Sequence, residues 1–372
     1  MLQYNVPDID DIFIFPRATL PKVASTFHFT NAHKKDLGKT VHVYDLNRNR
    51  LWSKCQSLDD YIEKSPALAM LIIRNDSIIY EKYSKGWNAN SLYPSFSMIK
   101  SLGIFPLIGI AIEEGKIESV HDPITKYVSV LRAKEGFEKI TIQHLLDMKS
   151  GIYEYESPVL PYAPQQRYYY GKHLEKETEK LEINYPPGMA YQYSVASTTT
   201  LLGEILKKVY QKPLDSIFYE KIWSQIGSDS EAYWAMDREK GNIKPFCCFH
   251  GNIRDFARLG RLILKGGEWE GKQVVPQRWV NSIFDNVDET SSRYLFLSRG
   301  IGRQYYSMHW YVGMREYKEL HAAGFYGQHV ILFPEQNTIV VSFTNRKGVF
   351  KRYPFQVELF YQIMEELECI NG

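Results

Sequence analysis

Strand-forming residues lie at both ends of this chain and helix-forming residues fill its middle, which constrains the fold more than any other feature. Residues 67–74 and 77–83 are β-rich runs, with Leu71-Ile72-Ile73 in the first and Ile78-Ile79-Tyr80 in the second. Asn75-Asp76 between them is a two-residue hairpin signal. The same character returns at 329–333 and 338–343, on either side of Pro334-Glu335-Gln336-Asn337. Residues 98–115, 142–148, 197–211, 214–222 and 253–264 carry apolar residues at three- and four-residue spacing, and 356–367 reads as a closing amphipathic helix. The economical solution is an α+β fold: one antiparallel sheet, flanked by helices and built from both chain ends, with a helical domain inserted between. On this reading 1–60 is an irregular arm, 61–115 and 305–372 form the sheet domain, and 116–304 form the mainly helical insert.

Composition excludes several functions. Lys and Arg total 45 against 43 Asp and Glu, a net charge of +2. A nucleic-acid binder needs an excess of cation to displace counterions, so none is expected as partner. The apolar run 102–112 is broken by Pro106 and is shorter than the roughly 18 residues of a membrane span. Residues 1–16 carry Asp8, Asp10 and Asp11 and no basic stretch, unlike a secretory signal. The chain is therefore expected to stay in the cytoplasm, with a periplasmic location open if it is processed. The four cysteines, 55, 247, 248 and 369, show no ligand spacing and read as reduced, mostly buried thiols. No histidine cluster suggests a metal, and no cofactor is expected. The 27 tyrosines outnumber the 19 Phe and 7 Trp combined, and so many phenols suggest a semi-polar groove as well as a core.

Gly266-Gly267-Glu268-Trp269-Glu270-Gly271-Lys272-Gln273 approaches a phosphate loop. It lacks the final Ser or Thr, however, and places two carboxylates where phosphate would bind, so it reads as a helix-ending turn. There is no GxSxG. Ser97-Met98-Ile99-Lys100 opens the helix expected over 98–115. A serine there offers its hydroxyl as nucleophile and its N–H to an oxyanion, while a lysine three residues on shares its face. The bland alternative is a capping serine with a surface lysine.

The surroundings of this tetrapeptide decide between the two. Ser97-Met98-Ile99-Lys100 is followed by Thr141-Ile142-Gln143-His144-Leu145-Leu146-Asp147-Met148-Lys149-Ser150-Gly151, then Pro186-Pro187-Gly188, then Tyr191-Gln192-Tyr193-Ser194-Val195, then Leu201-Leu202-Gly203-Glu204-Ile205-Leu206. Over about residues 60–370 this series resembles the serine β-lactamase and penicillin-binding-protein superfamily. It is most similar to the branch of class C β-lactamases, related esterases and nylon-oligomer (6-aminohexanoate-dimer) hydrolases.

The resemblance implies that Ser97 is the acylated nucleophile, Lys100 its partner, and Tyr193 the proton shuttle. It aligns Gly324, in His321-Ala322-Ala323-Gly324-Phe325, with the glycine of the third motif, so that the N–H groups of Ser97 and Phe325 form the oxyanion hole. An alternative register makes His321 that motif's first residue. Val195 stands where β-lactamases have Asn, and Ala322-Ala323 where they have Lys-Thr. Both departures remove polar recognition of a β-lactam, so a serine hydrolase of a small ester or amide is expected. A β-lactamase, a D,D-peptidase and an inactive binding protein remain the alternatives. Tyr168, Tyr169 and Tyr170, beside Arg167, could line a groove for an extended acyl chain, or pack a surface turn. His309 and Trp310 are expected to approach the cleft.

Overall fold

The computed structural model describes residues 7–32, 37–41, 56–154, 163–297, 300–314, 316–345 and 353–369. Its centre is a nine-stranded sheet. In spatial order the strands are Ser292–Leu297, Gly300–Ser307, Trp310–Met314, Lys318–Gly324, Gln328–Phe333, Thr338–Thr344, Ala67–Arg74, Ser77–Tyr83 and Thr30–Asn31. Neighbours are antiparallel except the last pair, which is parallel. The two chain ends meet where Thr338–Thr344 pairs with Ala67–Arg74, Ile339 opposite Ile73 and Val341 opposite Leu71. Both strands are buried almost throughout. A strand covered on both faces has no polar side to alternate with, hence the unbroken apolar runs. Asn75 and Asp76 take φ of 52° and 57°, the left-handed pair that a two-residue hairpin needs.

One face of the sheet packs against the helices Leu58–Lys64 and Tyr353–Cys369, with Tyr61, Met70, Ile72, Ile331, Phe333, Phe360 and Met364 in the seam. Helix Ile253–Leu264 lies across strands of the other face. Asn252 caps it by accepting from the Asp255 N–H at 2.7 Å. Ile253, Phe256, Leu259 and Ile263 bury its apolar side. At about 1.5–3 kcal/mol per side chain, that burial outweighs the cap, which is worth about 1 kcal/mol. Around this helix gathers the rest of the chain's middle, including the helices Ile142–Leu146 and Ser197–Tyr210.

The fold is α+β, with strands from both ends, and it differs from the expectation in three places. Ser292–Leu297 and the first part of Gly300–Ser307, expected within the helical insert, extend the sheet instead. Arg293, Ser298, Arg299 and Arg303 break the apolar run that would have marked them as strands. The arm before residue 60 is also less separate than expected. Besides Thr30–Asn31 it supplies Arg17–Leu20 to a second sheet, ordered Arg17–Leu20, Ala232–Ala235, Phe249–Gly251, Tyr93–Pro94. Finally, Cys247 and Cys248 are buried, but they are joined to each other as a disulfide rather than reduced. Cys369 is an exposed thiol, and Cys55 lies outside the described residues. Gly266 and Gly267, at φ of 65° and 84°, end the 253–264 helix as a turn. Among the described residues no helix is long and apolar enough to cross a membrane.

Candidate active site

The second sheet positions Ser97. Its strand Tyr93–Pro94 is paired with Phe249–Gly251, and Ser95 extends the attachment. The Ser95 N–H donates to the Phe249 carbonyl at 2.7 Å, and the Phe249 N–H donates back to Ser95 Oγ at 3.3 Å. Ser95 Oγ also donates to the Phe96 carbonyl at 2.9 Å. Phe96 takes a φ of +41°, a left-handed conformation that costs a side chain of this size on the order of 1–3 kcal/mol. Packing holds it there: the Phe96 ring is buried against Phe325 at 5.9 Å and Tyr326 at 5.6 Å between centroids. The chain then turns into a helix with Ser97, half-buried, at its start.

Lys100 lies one helical turn on and is 1% exposed. Its Nζ is 3.3 Å from Ser97 Oγ, 3.0 Å from Tyr193 Oη, 2.6 Å from the Val195 carbonyl and 3.5 Å from the Ser194 carbonyl. The ammonium also lies 4.6 Å from the centre of the Tyr193 ring. Lys100 opens a π-helical turn, Lys100–Ile104, in which the Phe105 N–H donates to the Lys100 carbonyl. Pro106 has no N–H to return to Leu102, and this wider turn carries the chain into the α-helix Phe105–Glu113.

Tyr193 comes from the loop that leads into helix Ser197–Tyr210. Its ring belongs to a cluster with three other tyrosines. Tyr306 meets it edge-on at 5.9 Å and Tyr311 lies parallel at 6.5 Å, while Tyr191 packs on Tyr306 at 5.4 Å. Burial pushes the Tyr306 phenol far above its ordinary range, so it stays neutral. Beneath the loop Glu154, 2% exposed, accepts four hydrogen bonds. They come from Ser194 Oγ and Ser197 Oγ, both at 2.6 Å, and from the N–H groups of Ala196 at 2.9 Å and Ser197 at 3.0 Å. The carboxylate thus occupies the positive end of the helix.

The remaining candidates divide. Gly324 ends strand Lys318–Gly324 against the Ser95–Phe96 turn, where a Cβ would stand 2.4 Å from the Ser95 carbonyl oxygen. Only glycine allows that approach, and it brings Phe325 beside Phe96. His321, first residue of the alternative register, is buried with its Nε2 2.7 Å from His329 Nδ1. Val195 is half-buried and gives its carbonyl to Lys100.

Tyr168 and Tyr169 are buried rather than displayed in a groove. Tyr168 packs edge-on against Phe246 at 6.1 Å, and Tyr169 meets Phe15 of the arm at 5.5 Å. Tyr170, half-buried, donates to Asp11 Oδ2 at 3.1 Å. Tyr169 and Tyr170 fasten the arm. His309 and Trp310 are likewise in the core, 1% and 0% exposed, with Trp310 edge-on to Phe105 at 6.3 Å. Burial, reinforced by the nearby Lys100 charge, pushes the His309 imidazole down to about 3. A neutral ring fills space beneath the lysine. Glu154, Tyr191, Tyr306 and Tyr311 are absent from the candidates that the sequence suggests. An acid just past the His144–Gly151 motif is the available sign for Glu154, though Glu156 follows two residues on, whereas nothing distinguishes these tyrosines among the 27.

With this geometry in place, residues 56–359 match the family model described as Beta-lactamase, well over half of the chain. The chain belongs to the Beta-lactamase family. A curated relative within reach of the sequence is a 6-aminohexanoate-dimer hydrolase of Paenarthrobacter ureafaciens. It is 23% identical over 313 residues, covering 79% of this chain and 76% of that protein. A solved structure from Bacillus anthracis, assigned provisionally as a 6-aminohexanoate-dimer hydrolase, superposes with a TM-score of 0.81 at 22% identity, covering 95% of this chain and 92% of that one. A family VIII carboxylesterase superposes with a TM-score of 0.60 at 16% identity over 81% and 92%. This Beta-lactamase family member is a hydrolase of the β-lactamase and penicillin-binding-protein fold. The family name describes ancestry, and does not assign it β-lactamase activity.

Proposed function

We propose that the protein hydrolyses a small ester or amide through an acyl-enzyme on Ser97. The observation that carries this reading is the placement of one buried ammonium, Lys100, within hydrogen-bonding reach of both Ser97 Oγ and Tyr193 Oη. A phenol works as a base near neutral pH only beside a cation that favours phenolate, and Lys100 is that cation. Tyr193 takes the Ser97 proton as Oγ bonds to the carbonyl carbon, and the carbonyl electrons move onto oxygen. The N–H groups of Ser97 and Phe325 hold that oxyanion. Tyr193 then gives its proton to the departing alcohol or amine as the bond to the leaving group breaks. Water repeats the sequence on the acyl-enzyme, releasing the acid and restoring Ser97.

Ester and amide are the substrate classes supported by the names of the relatives. Val195 offers no side-chain amide, and buried Ala322 no charge, to hold a β-lactam and its carboxylate. The test sets p-nitrophenyl esters of short acyl chains beside nitrocefin, with wild type and Ser97→Ala. Ester turnover that disappears in the variant, with slow or no nitrocefin cleavage, is expected. Equal ester turnover by both proteins would remove Ser97 from the mechanism. Fast nitrocefin cleavage would overturn the substrate assignment.

A further inference from the structure

Glu154 is a buried carboxylate that the mechanism above does not use, and among the described residues no Lys or Arg lies within ion-pair distance of it. Its Oε1 accepts the N–H of Ala196 at 2.9 Å. The carbonyl of that same peptide unit belongs to Val195, and it accepts from Lys100 Nζ at 2.6 Å. One peptide group therefore stands between an anion and a cation, its N–H toward the carboxylate and its carbonyl toward the ammonium. Both charges orient its dipole the same way, and in a site this dry such aligned hydrogen bonds strengthen one another. Ser194, whose carbonyl is also near Lys100 at 3.5 Å, is anchored to Glu154 by its hydroxyl at 2.6 Å. Ser197 adds two further bonds from the first turn of the helix.

We infer that Glu154 is a positioning residue for the reaction: through the Val195–Ala196 peptide it fixes Lys100 and Tyr193 and acts as the remote counter-charge of the ammonium. The inference rests on the acyl-enzyme reading of Ser97, Lys100 and Tyr193. The other titratable groups at this place are Tyr193 and His309 beside Lys100, Tyr306 and Tyr311 against the Tyr193 ring, Asp147 facing Tyr306, and Tyr168 beside Glu154. Burial keeps His309 and Tyr168 neutral over the working pH range, so neither can replace the charge Glu154 supplies. Glutamine at 154 would retain the volume, lose the charge, and turn an NH2 toward a donor it used to accept from.

The experiment measures labelling of Ser97 by a fluorophosphonate across pH, with melting temperature recorded in parallel, for wild type, Glu154→Gln and Glu154→Asp. Glu154→Gln should label on the order of 10–100-fold more slowly at neutral pH. The alkaline limb of its bell-shaped profile should move to lower pH, since the Lys100 proton is lost more readily once the counter-charge is gone. Glu154→Asp keeps the charge on a shorter arm, so its profile should keep its width while the rate falls. A lowered melting temperature with unchanged rate and profile in Glu154→Gln would reduce Glu154 to a helix cap and overturn the inference. If Glu154→Gln cannot be recovered folded, Glu154→Asp decides alone: slowed labelling supports the inference, and wild-type labelling overturns it. Absence of labelling in the wild type would instead sink the acyl-enzyme reading.

Discussion

A buried ammonium needs acceptors on every side, and the acceptors that Lys100 has found define where chemistry can occur. Two are backbone carbonyls that cannot leave, at Val195 and Ser194. Two more are hydroxyls, on Ser97 and Tyr193. Tyr193→Phe removes one hydroxyl while keeping the ring among Tyr306 and Tyr311. Ester hydrolysis should fall by about 10²–10⁴-fold with KM little changed and the fold intact, measured by steady-state kinetics and circular dichroism. A comparable rate in the variant would give the proton to another group. At this scale the sequence is legible where a residue type and its spacing both carry meaning. Ser97 and Lys100 stand three apart on one helix, and Tyr193 heads a loop of recognisable pattern. It is not legible for Tyr306 and Tyr311, because the hairpin that pairs them lies far along the chain from Tyr193. The same blindness puts Tyr168, Tyr169, His309 and Trp310 in a cleft, when burial places Tyr168 against Phe246, Tyr169 against Phe15 of the arm, His309 near Lys100 and Trp310 against Phe105.

Between elements the closest tolerance is where strand Lys318–Gly324 ends on the Ser95–Phe96 turn. Gly324→Ala would press a methyl group on the Ser95 carbonyl, a backbone atom that cannot swing aside. Overpacking of that kind costs about 1–3 kcal/mol, so the urea midpoint should fall accordingly. Acylation should also slow by about 10²-fold, because an error near 1 Å between oxyanion donor and nucleophile is enough to do so. A variant with unchanged burst kinetics would show that the strand end does not set the site. Elements with strong local signals, such as the 67–83 hairpin and the Asn252-capped helix, are legible from their own residues. The strands Ser292–Leu297 and Gly300–Ser307 are not, since they pair with each other while Arg293, Ser298, Arg299 and Arg303 interrupt the apolar pattern.

Across the molecule, Lys244 joins parts distant in the chain. It is fully buried, donates to the carbonyls of Tyr168 and Gly171 at 3.3 Å and 3.4 Å, and lies 4.8 Å from the centre of the Phe15 ring. Burial pushes its ammonium down to about 7, against about 10.4 for an unfolded lysine. Between those values the unfolded chain binds the extra proton, so stability should rise with pH from about 7 toward 10. Urea midpoints at pH 6.5 and 9 should show that rise in the wild type and lose it in Lys244→Met. An equal rise in both would place its source elsewhere. The pairing of Ala67–Arg74 with Thr338–Thr344 has a consequence for synthesis. A ribosome adding about 5–20 residues per second needs tens of seconds to travel from Arg74 to Thr338. During that time the newborn 67–83 hairpin waits with an apolar edge uncovered, and Gly324, which closes on the Ser95–Phe96 turn, does not yet exist for most of it. The nascent chain is thus sticky before it is capable, and its yield in a cell should depend on what shelters that edge until the last strands emerge.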